Sequence, residues 1–172
     1  SLDKTAILWD LNTGAALHTF DGHEFVLPSV AFTNGGAQIL TADRETVTLW
    51  DTATGSEIRT FLGHTNRVEA IAVTPDETRL VTAGNRTARL WNVETGRLIH
   101  TWHGHGDDVK AAVLSPDGAV LATGGLDDTV KLWSMETGAE TCVFPTGGHK
   151  VYALAFSPGG NRILAGLGDN TA

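Results

Sequence analysis

Short apolar runs alternate with turn-forming residues along the whole chain. Between Arg67 and Trp102 the runs read RVEAIAV (67–73), TRLVTA (78–83), TARLWNV (87–93) and RLIHTW (97–102). Each is too short for a helix that buries a stripe, and each is rich in β-branched, aromatic or alternating apolar positions, the pattern of a strand. The breaks are Pro75-Asp76, Gly84-Asn85-Arg86 and Glu94-Thr95-Gly96, residue pairs whose backbone preferences favour turns. Four antiparallel strands of this length form one small twisted sheet. Such a sheet cannot bury both of its faces alone.

The same pattern recurs. Trp9, Trp50, Trp91 and Trp133 are spaced by 41, 41 and 42 residues. A Thr-Gly pair follows each tryptophan at a fixed distance, at Thr13-Gly14, Thr54-Gly55, Thr95-Gly96 and Thr137-Gly138. Gly-His recurs at Gly22-His23, Gly63-His64 and Gly104-His105. Stacking copies of one sheet around an axis buries both faces, which is the logic of a propeller. The pattern therefore predicts an all-β chain, a β-propeller segment of four-stranded antiparallel blades holding about four blade equivalents. Residues 1–21 would supply the outer strands of a first blade. Residues 22–62, 63–103 and 104–146 would form three full blades, and 147–172 the inner strands of a last one.

The unit Gly-His, Ser-Pro-Asp-Gly, Asp-Asp-Thr-Val-Lys-Leu-Trp, seen best at 104–133, resembles the WD-repeat β-propeller family. The resemblance covers essentially the whole chain. It implies a buried network of a loop His, a strand Ser or Thr, a turn Asp and a strand Trp, complete here as His105, Thr123, Asp127 and Trp133. The other units depart from it. At 22–62, Thr41 and Trp50 match, but the turn is one residue shorter, so Arg44 stands six before the Trp and Asp43 one place off. At 63–103, Asn85 replaces the Asp beside His64, Thr82 and Trp91. In the last unit Ala165 replaces the Ser or Thr and Asp169 is present, while Gly147 rather than His149 occupies the histidine place. The unit at 104–146 is expected to be the most rigid and the last the least. Propellers of this family have about six to eight blades. The chain thus reads as a segment of a longer propeller, with a dimer closing an eight-bladed ring as the alternative. Ser1–Ala6 aligns with Leu167–Ala172, and unclosed blade edges predict self-association.

Composition narrows the partners. Twenty acids against 12 bases give a net charge of −8, and the bases are scattered singly. Nucleic acid is therefore not expected as a partner, because phosphate binding needs concentrated Lys and Arg. No apolar run approaches the ~20 residues that cross a membrane, so no membrane role is expected. The single cysteine, Cys142, allows no internal disulfide and suits a reducing, cytoplasmic setting.

The chain also carries little catalytic chemistry. It holds no Gly-x-Ser-x-Gly, His-Glu-x-x-His or Gly-Lys-Ser/Thr motif. Asp107-Asp108 and Asp127-Asp128 are adjacent pairs, whose side chains point to opposite faces of a strand. The stretch RLIHTWHGHGDDV holds His100, His103 and His105 and invites a metal reading. The repeat separates them. His105 belongs to the network, His103 aligns with Asp21 and Leu62, and His100 aligns with His18 and Arg59, which suggests a solvent-facing place. No metal, no cofactor and no enzymatic activity are expected.

The family resemblance implies a docking face, built from the loop before each inner strand and the turn between the second and third strands. Here those positions include Phe25, Val26, Arg44, Arg67, Arg86, Asp107, Asp108, Leu126 and Lys150. Phe25 and Val26 align with Asn66-Arg67 and Asp107-Asp108, so two apolar residues stand at polar loop positions. They read either as a contact patch or as packing onto a neighbouring loop, and each arginine either as a contact or as a solvated charge. The expected function is a non-enzymatic scaffold that binds other proteins or peptides through loop faces. The alternative is a regulatory or sensor module of a larger protein that carries catalysis elsewhere. An intrinsic or metal-dependent enzyme ranks below both.

Overall fold

The computed structural model describes residues 3–168. Asp169 lies outside them, and every pair in the Ser1–Ala6 to Leu167–Ala172 correspondence includes a residue that does. The chain divides into two compact units, Ser1–Val68 and Glu69–Ala172. In the first, β1 (Ala6–Trp9) and β2 (Ala16–Phe20) form a two-stranded sheet. Strands β3 (Ser29–Thr33), β4 (Gln38–Ala42), β5 (Thr46–Asp51) and β6 (Glu57–Leu62) form a four-stranded sheet in chain order. The second unit holds two more such sheets. One is β7 (Ala70–Val73), β8 (Arg79–Gly84), β9 (Thr87–Asn92) and β10 (Leu98–His103). The other is β11 (Val109–Leu114), β12 (Val120–Gly125), β13 (Thr129–Ser134) and β14 (Glu140–Pro145). A final pair, β15 (Lys150–Phe156) and β16 (Ile163–Gly168), completes it. Neighbouring strands are antiparallel throughout.

Each unit buries its alternate apolar positions. In the first, Phe20, Ile39 and Trp50 pack together with Ala6 and Leu8 against them. In the second, Val81, Leu90, Trp102, Val109, Leu121, Trp133 and Met135 share one core. Each side chain of that size contributes about 1.5–3 kcal/mol on burial. The all-β architecture of four-stranded antiparallel sheets is the one the apolar pattern predicts. Some apolar side chains stay exposed, among them Val30 and Phe32 on β3 and Leu164 and Leu167 on β16.

The recurring residues after each tryptophan build one turn. The side-chain oxygens of Asp10, Asp51, Asn92 and Ser134 accept the N–H groups of Thr13, Thr54, Thr95 and Thr137, at 2.8, 2.8, 2.6 and 3.2 Å. The glycine that follows donates its N–H back to the backbone carbonyl of the same residue, at 2.8 to 2.9 Å in all four cases. This closure requires a left-handed backbone, and Gly14, Gly55, Gly96 and Gly138 all have φ between 70° and 74°. These amide donors hold the Asp10 and Asp51 carboxyls below their ordinary pKa, with the Thr13 and Thr54 N–H groups the largest cause.

The turn also meets a neighbouring sheet. His18 on β2 donates Nε2–H to the Ala53 carbonyl at 3.1 Å and lies against Gly55. His100 on β10 lies against Gly138 and meets Trp102 edge-on, with ring centroids 4.9 Å apart. The expectation that position 100 faces solvent is therefore corrected, because His100 is half-buried under a turn. An arginine at the aligned position was a poor guide, because a flat polar side chain can cover a neighbour with its stem and face while its edge stays wet.

These contacts separate two glycines of equal backbone geometry. Nothing lies within 4 Å of a Cβ placed on Gly14, whereas one on Gly138 would sit 2.6 Å from the His100 ring. We expect Gly14→Ala to cost about 1 kcal/mol from backbone strain alone. Gly138→Ala should cost at least about 1 kcal/mol more, and His100→Ala should relieve the excess. Denaturant titration measures all three, and equal costs for the two glycines would refute the packing argument.

Candidate functional site

The loop that precedes β11 is fixed by a directed hydrogen-bond chain. The Trp133 indole N–H donates to Thr123 Oγ1 at 2.8 Å. The Thr123 hydroxyl donates to His105 Nε2 at 2.7 Å. His105 Nδ1–H donates to the Asp127 carboxylate at 2.9 Å. Asp127 also accepts the Gly106 N–H at 2.7 Å and the Thr129 hydroxyl at 2.9 Å. The two ends fix the directions: the indole N–H can only donate and the Asp127 carboxylate can only accept, so Nδ1 carries the proton and the neutral ring accepts the Thr123 hydroxyl at Nε2. The chain needs a neutral imidazole with its proton on Nδ1. Burial supplies it, pushing the His105 pKa below its ordinary value against the pull of Asp127. Burial also pushes the Asp127 carboxyl upward, but the hydrogen bonds from His105 and Gly106 outweigh it and leave the pKa lowered.

The first unit assembles a looser copy. The Trp50 N–H donates to Thr41 Oγ1 at 2.8 Å, and Thr41 Oγ1 lies 3.1 Å from His23 Nε2. Asp43, one place off in sequence, still reaches the loop. Its Oδ2 accepts the Glu24 N–H at 3.2 Å and lies 3.7 Å from His23 Nδ1. The shorter hairpin, closed by Asp43 N–H to the Thr46 carbonyl at 2.9 Å, delivers the carboxylate from a different backbone position. The displacement in sequence is thus compensated in space. Burial depresses the His23 pKa as well, opposed by Asp43, Asp21 and Glu57. In the β7–β10 sheet the Trp91 N–H donates to Thr82 Oγ1 at 2.8 Å, while Asn85 and Arg86 form a tight turn with φ of 45° and 62°. His149 is exposed in the loop after β14, where its carbonyl accepts the Thr146 hydroxyl.

Four of the nine loop residues converge in the first unit. Phe25, Val26, Arg44 and Arg67, with Asn66, line a depression of about 240 Å³. Phe25 is 41% exposed, and the Arg44 guanidinium lies over its ring at 5.1 Å. In the second unit Leu126 donates its N–H to the Asp108 carbonyl at 2.9 Å, which brings Asp107, Asp108 and Leu126 into one loop cluster. Arg86 stands exposed at its own hairpin turn. Lys150 is the first residue of β15, half-buried and paired with Gly168.

A larger open cavity of about 620 Å³ lies beside the first network. Phe25 and Arg44 share its rim with Asp21, Glu24, Glu45, Thr48, Trp50 and Glu57. Sequence reasoning did not single out Thr48 or Glu57. The signal was present in the repeat, where Thr48 aligns with Arg89 and Lys131, and Glu57 with Glu140. The three histidines of RLIHTWHGHGDDV occupy three environments, His100 half-buried, His103 exposed and His105 buried. Among the described residues no group of three or more His, Cys, Asp or Glu is placed to hold a metal ion. No described helix is long and apolar enough to cross a membrane.

The family model for the WD domain, G-beta repeat, matches residues 14–51, 55–92, 96–134 and 140–172. The chain belongs to the WD-repeat family. Each matched stretch from 14 to 134 holds the outer strand of one sheet and the three inner strands of the next. Repeats of this family generally mediate protein–protein interaction and are generally non-catalytic. A search of curated proteins found no match to the chain.

The neutral imidazole sets an expected pH dependence. The folded pKa of His105 lies below its unfolded value of about 6.5, so protons bind the unfolded chain first. The stabilisation is complete above about pH 6.5 and is lost as pH falls from there through the folded pKa. Asp127 contributes in the same direction only at lower pH, below the ordinary carboxylate range. The denaturant midpoint should therefore drop between about pH 7.5 and 5.5, and drop less in His105→Gln. An equal drop in both proteins would overturn the assignment.

Proposed function

We propose that this chain is a non-enzymatic scaffold that binds proteins or peptides through the loops of its propeller blades. The observation that carries the reading is the convergence of Phe25, Val26, Arg44 and Arg67 around one surface depression. An exposed aromatic ring with an arginine over it is the composition of an interaction hot spot, large in contact area and low in conformational entropy. A rigid scaffold with binding residues on its loops is the usual division of labour. The cytoplasm is the proposed setting, on the strength of the lone Cys142. A pull-down comparing the wild type with Phe25→Ser/Arg67→Glu tests the face. Partner recovery should fall about tenfold at an unchanged melting temperature. Unchanged recovery would count against it.

Self-association is a second reading, favoured by Val30 and Phe32 on β3, each 59% exposed, and by Leu164 on β16, 72% exposed. Sheet faces with such side chains tend to find a cover. Sedimentation of the purified chain should show dimers or larger species that dissociate in Phe32→Ser/Leu164→Ser. A purely monomeric profile at all concentrations would sink this reading.

A further inference from the structure

The repeats of this chain act as internal templates for one another, and one of them is filled where another is open. On β13, Lys131 lies with its Nζ 5.9 Å from the Trp133 ring centroid and donates to Glu140 Oε2 at 2.8 Å. The Lys131 side chain is only 11% exposed. Its stem and charge fill the space beside the tryptophan, and a Cβ placed on Gly104 would meet Trp133, Glu140 and Lys131 together. Position 131 corresponds to Arg89 on β9 and to Thr48 on β5. In the β3–β6 sheet, then, the cation is missing while its two partners remain. Trp50 stands where Trp133 does and Glu57 where Glu140 does, each paired across the strands in the same register. Nothing lies within 4 Å of a Cβ placed on Gly22, the counterpart of Gly104. The 620 Å³ cavity occupies that space.

The charges around it suit a cation. Five carboxylates line the cavity: Asp21, Glu24, Asp43, Glu45 and Glu57. Asp43 is engaged by His23 and by two backbone amides. Glu57 accepts the Thr60 hydroxyl at 2.6 Å and keeps acceptor capacity on its carboxylate. The two basic groups on the wall do not oppose a guest strongly, because Arg44 is stacked over Phe25 and His23 is buried beside Thr41. The Trp50 ring supplies the apolar and π surface for an aliphatic stem and its charged head.

We propose that this cavity receives a lysine side chain from a basic segment of a partner protein, seated as Lys131 is seated in the β11–β14 sheet. The proposal deepens the scaffold reading, and rests on it, by giving the partner's chemistry. The probe is the pentapeptide acetyl-Gly-Gly-Lys-Gly-Gly-amide, titrated into the full chain while the Trp50 indole N–H resonance is followed. The expected result is a saturable shift with this peptide and none with its norleucine counterpart, which keeps the stem and lacks the ammonium. Glu57→Gln should weaken binding about fivefold. Thr48→Lys should abolish it by filling the cavity from within. If Thr48→Lys does not fold, Glu57→Gln, at an exposed strand position, decides alone. A fixed Trp50 resonance, an equal response to norleucine, or undiminished binding in Glu57→Gln overturns the proposal. Lysine binding together with unchanged pull-down recovery in Phe25→Ser/Arg67→Glu faults the proposed loop face and spares the cavity. The reverse pattern faults the cavity alone.

Discussion

A carboxylate withdrawn from water needs donors, and Asp127 has three of them, His105 Nδ1–H, the Gly106 N–H and the Thr129 hydroxyl. Those donors come from two separate pieces of chain, the loop before β11 and the hairpin between β12 and β13. Satisfying one half-buried charge therefore ties the loop to the sheet. The tie runs on through Thr123 to Trp133, whose ring is part of the hydrophobic core. A polar requirement and an apolar one are met by the same four residues. Removing Thr123 would strand the Trp133 N–H and His105 Nε2, and removing Asp127 would strand His105 Nδ1–H, which typically costs more than the hydrogen bond itself contributes.

This constraint explains which departures the repeat tolerates. The first sheet moved its carboxylate one residue along the hairpin, yet Asp43 still accepts an amide of the His23 loop. The geometry of satisfaction was kept and the sequence position was not. Reading the motif by column alone exaggerated the loss. The Trp–Thr pair is the element that stays constant, at 2.8 Å in all three four-stranded sheets. Its hydroxyl and indole sit on adjacent strands in fixed register, so no loop variation can move them apart.

Much of the architecture was legible because it depends on local rules. Strand alternation, the turn after each tryptophan and the left-handed glycines each use chemistry visible in a few consecutive residues. The roles of His18 and His100 were not legible for the opposite reason. Their partners, Gly55 and Gly138, lie 37 and 38 positions away, and the contact depends on how neighbouring sheets meet. The same holds for the loop face. Phe25 was marked by its apolar character at a polar position, but that Arg44 would lie across its ring depends on the shorter hairpin. The cavity beside Trp50 shows in the sequence only as a short residue where the other repeats hold a long cation. Thr48 matters for what it leaves out.

The network residues are bound by burial, and a change at any of them is felt in the core. The position of Thr48, Arg89 and Lys131 is different, since its occupant lies beside the network and not in it, a short buried Thr48 in one sheet and long half-buried cations in the other two. Lys131 is largely covered but its partner Glu140 is 38% exposed, and an ion pair open to water on one side contributes only modestly to stability. The partners left behind keep their geometry because other forces hold them, Trp50 through Thr41 and Glu57 through Thr60 and the strand register. A preorganised half of an ion pair then faces open space. Preorganisation is what makes such a place useful for recognition, because a guest has only its own side chain to order.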